Sequence, residues 1–376
     1  MLVLAACYIL IFVLLLVRRT ELFSRYQYYC IFFIFIIALC ILGSMFNSNV
    51  GLDIERHYEF LDLIRENGAT FKQLVMGAYG GYKGLVTFNL IRLLVCKISY
   101  NNHLLPFIMT FISYSSISYI LLDNYFEYRI KYSDLLKSLL ITFTLTPYYF
   151  VVCGVRNGAA ACLMALAIYI YLCKGNSILS FLVISFLAIT IHPATLLAVP
   201  FVVISRLDFN VKTSIAVLVI SLISNLFAKL LLLTGNSLLV SLGNSYLLYS
   251  SDDQFRSAYY FLFADLILII SYLIFVVFNL YSKNKIEFNS KLKRGLNFIT
   301  YYSIFIIGNI GNYDLILRPS YVLGPLAPLA LYFIKDRIKS FEDKRMQWLY
   351  SVCIYIVCIL TICRYMLFFM KSTYLA

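Results

Sequence analysis

The sequence predicts an all-α, polytopic integral membrane protein with about ten to twelve transmembrane helices, and three observations carry that prediction. First, 62% of its 376 residues are hydrophobic and only 13% are charged, where a soluble domain carries about a quarter charged residues. Second, apolar runs of roughly 15 to 22 residues recur between short polar turns, the length a helix needs to cross a hydrocarbon core. Third, the Lys and Arg residues behind the net charge of +13 gather in those turns. That is the positive-inside pattern of cytoplasmic loops, so the excess is a topology signal and not a nucleic-acid footprint. Outer-membrane barrels are excluded, because alternating strands give no long apolar runs. Most of the ten cysteines lie inside apolar runs, without CxxC or Cys/His metal spacing, and read as small apolar residues with no disulfides expected.

Taken in order, the first helix is expected over about Leu2 to Val17, with Arg18, Arg19 and Arg25 in a cytoplasmic turn. The basic pair follows the apolar run instead of preceding it, so this is not expected to be a cleavable signal. A second helix spans about Tyr29 to Phe46. Residues 47–103 form an outer loop, hydrophilic from Asn47 to Lys83, whose Gly84–Ile98 portion is expected to be interfacial or re-entrant because Lys83 and Arg92 fall on opposite helical faces. Crossings follow at about Leu104–Leu122 and Leu139–Cys153, separated by Arg129, Lys131 and Lys137. Two apolar runs, Ala159–Cys173 and Ile178–Ile191, flank the basic turn at Lys174-Gly175-Asn176 and read as a hairpin. Ala194–Ser205 is short for a span, and either returns to the cytoplasmic side or continues one kinked helix through His192. Ser214–Leu233 crosses outward with Lys229 near its outer end. Tyr259–Tyr281 returns with Asp265, and these two read as an ion pair between helices. Lys283 to Arg294 is the strongest cytoplasmic marker. Asn297–Gly308, Tyr321–Ile334 and Trp348–Phe368 complete about twelve segments in one membrane domain, both termini outside.

The chemistry is sought at isolated polar residues, because no phosphate loop, GxGxxG or HExxH motif occurs. Four positions share the outer side in this topology: Arg156, His192, Arg318 and an acidic cluster beginning at Asp53. A planar guanidinium that never deprotonates suits a diphosphate at Arg156 and Arg318, whereas the plain alternative is an arginine anchoring a helix end. His192 suits a general base for a hydroxyl, and a helix-end hydrogen bond equally. Asp53, Glu55 and His57 suit a base or sugar-hydroxyl ligands, or a solvated loop; Asp53 and His57, four apart, share one helical face.

Three blocks carry a family resemblance. Gly51-Leu52-Asp53 is followed by His57-Tyr58. Val155-Arg156-Asn157-Gly158-Ala159-Ala160 is followed some thirty-five residues later by Ala188-Ile189-Thr190-Ile191-His192-Pro193-Ala194. Arg318 and Tyr321 open a late helix. The arrangement resembles the Wzy/EpsG-like family of bacterial polysaccharide (O-antigen or exopolysaccharide) polymerases, with Asn157 standing for the family's usual Gln. The resemblance implies a membrane glycosyltransferase (GT-C-like) fold and transfer of a growing glycan from undecaprenyl diphosphate to a lipid-linked repeat unit, at the outer face of the bacterial inner (plasma) membrane. It implies diphosphate binding by Arg156 and Arg318, catalysis by His192 and Asp53, and sugar binding by Glu55, His57 and Tyr58. No cofactor, metal or nucleic acid is expected. The expected partners are the undecaprenyl-diphosphate-linked oligosaccharide, the bilayer and a chain-length regulator. The rival functions are a lipid-linked oligosaccharide flippase and an O-antigen ligase.

Overall fold

The computed structural model describes residues 24–45, 53–128, 132–207, 210–223, 230, 233, 259–281, 289–310, 312–339 and 344–374. The expected first helix (2–17) and the expected partner of Asp265, Lys229, lie outside them. Among the described residues every regular element is helical, and six helices are long and apolar enough to cross a bilayer: Arg25–Ser44, Leu104–Glu127, Val155–Cys173, Leu262–Tyr281, Leu315–Ile338 and Trp348–Tyr365. Three shorter apolar helices accompany them, so the protein is a polytopic α-helical membrane protein.

The chain begins with α1 (Arg25–Ser44), opened by a Ser24/Gln27 capping box. Three short helices follow: α2 (Asp53–Glu66), α3 (Phe71–Val75) and α4 (Val86–Ile98). Then come α5 (Leu104–Glu127), α6 (Tyr132–Leu145), α7 (Tyr148–Cys153) and α8 (Val155–Ile168), which runs on as a π-turn to Cys173. The expected single crossing at Leu139–Cys153 is two helices, because Pro147 cannot donate inside a helix and instead caps the start of α7. Next are α9 (Ile178–Ile191), a 3-10 turn (Pro193–Ala198), α10 (Val199–Ile204) and α11 (Val211–Leu222). The last are α12 (Tyr259–Tyr281), α13 (Ser290–Gly308), α14 (Tyr313–Leu323), α15 (Ala327–Lys339) and α16 (Lys344–Tyr374).

Helix α8 lies at the centre because its sequence is small. Gly158, Ala159, Ala160, Ala161, Ala165 and Ala167 are buried and let neighbouring backbones approach; a Cβ at Gly158 would stand 2.9 Å from the Val151 backbone. It packs on α5, α7, α9 and α14 and belongs to both large apolar clusters. Helix α9 turns the other way outward, exposing Leu179, Leu182, Val183 and Phe186, as a lipid-facing helix does.

The bundle's two ends differ in chemistry. At one, Asp123 of α5 accepts from Tyr169 at 2.6 Å and pairs with Lys174 at 3.0 Å, and Lys174 also meets Glu127. Arg25 approaches Asp123 to 3.8 Å, Lys291 donates to the Lys174 carbonyl, and Lys335 pairs with Asp134. The segment after His192 returns to this basic end. Asn297, two turns into α13, donates to the Ser205 and Leu207 carbonyls, and Arg206 lies 4.5 Å from the Tyr171 ring. Twelve residues suffice for that return because half are 3-10, rising about 2.0 Å each, so the segment spans roughly the same 21 Å as the fourteen-residue α9. At the opposite end α2, α3 and α4 fold over the mouth of the bundle, and Thr87 of α4 hydrogen-bonds Thr190 at 2.6 Å.

Candidate functional site

Each polar residue at that opposite end is delivered by a local break. Gly154 separates α7 from α8, placing Arg156 in the first turn of α8, where the helix dipole favours an anion. His192 caps the end of α9 because Pro193 stops the helix and starts the 3-10 turn. Arg318 precedes Pro319 inside α14. Asp53 and His57 lie one turn apart on α2, with His57 Nε2 3.5 Å from Asp53 Oδ2.

These four elements converge. Arg156 feels the charges of Asp53, Arg56 and Arg318, and His192 feels those of Arg318, Arg156 and Asp53. The Arg156 guanidinium stacks on the Tyr82 ring, 3.9 Å from its centroid, and 5.4 Å from that of Phe88. That cation–π seat fixes its position.

Asp53 is partly buried, which pushes its carboxyl up, but His57, Arg56 and Arg156 together outweigh burial and hold it down at about 2. It therefore stands ionised among cations. Burial pushes the His57 imidazole down despite the opposing pull of Asp53, with Arg156 and Arg92 adding to the fall. At 3.5 Å its contact with Asp53 is ion-pair range and at the limit of a hydrogen bond, and neither ring nitrogen has a hydrogen-bond partner among the described residues. His192 Nδ1 accepts the Ala194 N–H at 3.3 Å. An accepting Nδ1 makes the ring neutral with its proton on Nε2. In this geometry His192 makes the helix-end hydrogen bond that the sequence offered as one of two readings, and presents a donor at Nε2.

Two predicted positions lie apart. Glu55 is two residues from Asp53, roughly 200° around the helix, and Tyr58 turns to His103, Oη to Nδ1 3.2 Å. The structure also adds residues that sequence reasoning passed over. Arg92 of α4 is fully buried and donates to the Gly80 carbonyl at 2.8 Å. Asn89 holds Tyr82 through both backbone groups, at 2.6 and 3.1 Å. The run Gly77–Gly84, part of the expected outer loop, is thus a pinned strap carrying Tyr82 over Arg156. The missed signal was a guanidinium inside the apolar run Gly84–Ile98, where Arg156 stands at the end of one.

A separate cavity of about 110 Å³ lies between α6, α12, α13, α15 and α16, walled by residues such as Ile269, Tyr272, Leu326 and Ile354. None of its walls belongs to the polar cluster.

Fold and site together define a polytopic helical membrane protein with arginines, a carboxylate and imidazoles gathered at one end of its bundle. The EpsG family model matches residues 28–375, nearly the whole chain, and the protein belongs to the EpsG family, within the Wzy-like polymerases of polysaccharide synthesis. No curated protein and no solved structure matches it.

Proposed function

We propose that this protein is a polysaccharide polymerase that extends a glycan carried on undecaprenyl diphosphate, working at the outer face of the bacterial plasma membrane without a metal. The carrying observation is the convergence of Arg156, Arg318, His192 and Asp53 from four separate elements at the end of the bundle away from the basic turns. By the positive-inside rule that end faces outward.

In the reaction, an acceptor sugar hydroxyl on the fresh lipid-linked unit attacks the anomeric carbon of the growing chain. The bond from that carbon to the diphosphate oxygen breaks, and the electron pair leaves with the carrier. Arg156 and Arg318 stabilise the charge gathering on the leaving diphosphate through charge-assisted hydrogen bonds. Asp53 takes the hydroxyl proton, with the His57 ring 3.5 Å away. His192 Nε2–H donates to a phosphate or sugar oxygen. Ionised at neutral pH, Asp53 is a weak base, and its reach to the acceptor is what makes it effective.

The test uses a strain lacking the gene, complemented with wild type, Arg156→Ala or Arg318→Ala, with surface glycan resolved by repeat number. Wild type restores the ladder and each variant leaves a core with a single repeat. An intact ladder in both variants sinks the diphosphate role. Loss of even the single capped repeat in the deletion strain indicates a flippase or ligase instead.

A further inference from the structure

Arg92 has more donors than the fold uses. Its side chain is fully buried, yet Nε and Nη2 have no hydrogen-bond partner among the described residues; only Nη1 is used, on the Gly80 carbonyl. Its guanidinium sits 5.4 to 5.6 Å from the ring centroids of Phe60, Tyr82 and Phe88. Tyr82 and Phe88 are also the rings against which Arg156 rests. Of the titratable groups acting on Arg92 the neutral Tyr82 and Cys96 bring no counter-charge and Arg156 brings a like one, with no carboxylate among them. Arg156 leaves its own Nε buried and unpartnered. Two guanidiniums thus share one aromatic wall, and Asp53, the carboxylate acting on Arg156, is already engaged by Arg56. A buried cation without a counter-charge is costly, because nothing replaces the solvation it has lost. Holding Gly80 in place needs one N–H, not a guanidinium.

We propose that Arg92 is a second anion-binding residue, which with Arg156 grips a phosphate group beneath the 77–84 strap. The inference rests on the reading of this end as a diphosphate site and adds a residue to it. The unpartnered N–H groups of Arg92 become ligands for phosphate oxygens, and the three rings keep the guanidinium in place when the site is empty. Entry requires the strap to move. Gly77, Gly80 and Gly84 adopt φ of +94°, +70° and +76°, and a Cβ at Gly80 would fall 2.4 Å from the Phe60 ring, so glycine is needed where the strap crosses Arg92.

The test is binding of inorganic pyrophosphate to the purified full-length chain in detergent, measured calorimetrically at constant ionic strength set with chloride. Wild type binds, Arg156→Ala does not, and Arg92→Gln weakens binding at least about tenfold, the loss of one charge-assisted contact. Arg92→Lys retains the charge and one donor to Gly80 and still weakens binding, because it lacks the fork; it serves if Arg92→Gln fails to fold. Competition with geranylgeranyl diphosphate separates the sources: stronger competition than by pyrophosphate identifies a lipid-linked diphosphate, equal competition a free one, and both support the site. Wild-type affinity in Arg92→Lys or in folded Arg92→Gln overturns the proposal, as does a wild type that binds neither compound. The glycan ladder judges the polymerase independently. A ladder that needs Arg156 alongside binding indifferent to Arg92 sinks this inference alone, and Arg92-dependent binding with an intact ladder in both Arg156→Ala and Arg318→Ala sinks the polymerase reading alone.

Discussion

The single side chain on which the proposed chemistry turns is Asp53. Replacing it with Asn keeps shape and hydrogen-bonding capacity while removing the proton acceptor. Asp53→Asn is expected to lower polymer formation by roughly 10²- to 10⁴-fold with the folded protein recovered at wild-type yield; full activity would move the base elsewhere. His57 gives a separate, thermodynamic prediction. Its folded pKa lies below the ordinary value of 6.5 because the ring is buried. The unfolded chain therefore binds a proton near pH 6.5 that the folded chain refuses, so stability rises with pH through this window and is lost as pH falls below it. Asp53 behaves in the usual carboxylate sense: its contribution is present above 3.8 and lost as pH falls toward about 2. Thermal melts of His57→Asn should show a shallower loss of stability between pH 6.5 and 5 than wild type, and superimposable profiles would count against a buried neutral ring. At this scale the sequence was informative where a charge interrupted an apolar run, as at Arg156 and Arg318. It was silent where identity alone leaves the role open. Nothing in His192 itself says that Nδ1 accepts the Ala194 N–H, and nothing in Glu55 says that it lies on the far side of α2 from Asp53.

Among the elements, the strap between α3 and α4 matters most, because it carries Tyr82 onto Arg156 and is tied down by Asn89 and Arg92. Its tightest point is Gly81, where a Cβ would lie 2.2 Å from the Leu74 carbonyl oxygen. Backbone cannot yield as a flexible side chain can, so Gly81→Ala should shift the strap at a cost of roughly 1–3 kcal/mol. The expected result is a folded protein with a lowered Tm that no longer lengthens glycan, the loss exceeding what the stability change explains. Equal, small effects on both would make the strap a passive cover. Element existence was legible from run length and turn chemistry: the Lys174-Gly175 turn does close α8 against α9, with Gly175 at φ +75°. Interruptions were less legible. Pro147 divides one expected crossing into α6 and α7, and the 3-10 turn after His192 supplies the reach that a helix of twelve residues lacks. Both depend on which backbone groups neighbouring helices can satisfy, as when Thr142 and Thr146 donate to the Gly324 and Tyr321 carbonyls, and that is a tertiary matter.

For the whole molecule, the polarity of the bundle is the property that the proposed reaction requires. Asp123, Glu127, Lys174 and Lys291 at one end and Asp53, His57, Arg156, His192 and Arg318 at the other are separated by the length of α8, nineteen residues from Val155 to Cys173. At 1.5 Å per residue this is roughly 28 Å, close to a hydrocarbon thickness. A helix of that length puts the two ends in different compartments if it crosses the bilayer, and a polymerase using lipid-linked units exported from the cytoplasm needs the Arg156 end outside. Positive-inside bias argues for that orientation, and accessibility measures it. Tyr100, in the turn before α5, is 93% exposed and lies near the arginine end, and Ser177, in the turn between α8 and α9, is exposed at the basic end. In a cysteine-free background, Tyr100→Cys should react with a membrane-impermeant maleimide in right-side-out vesicles and resist it in inside-out ones, with Ser177→Cys showing the reverse. The opposite labelling would place the cluster in the cytoplasm and exclude extension of exported units there. Labelling of both sites in one vesicle type would mean that α8 does not cross the bilayer, and the separation of the two ends would then carry no topological meaning.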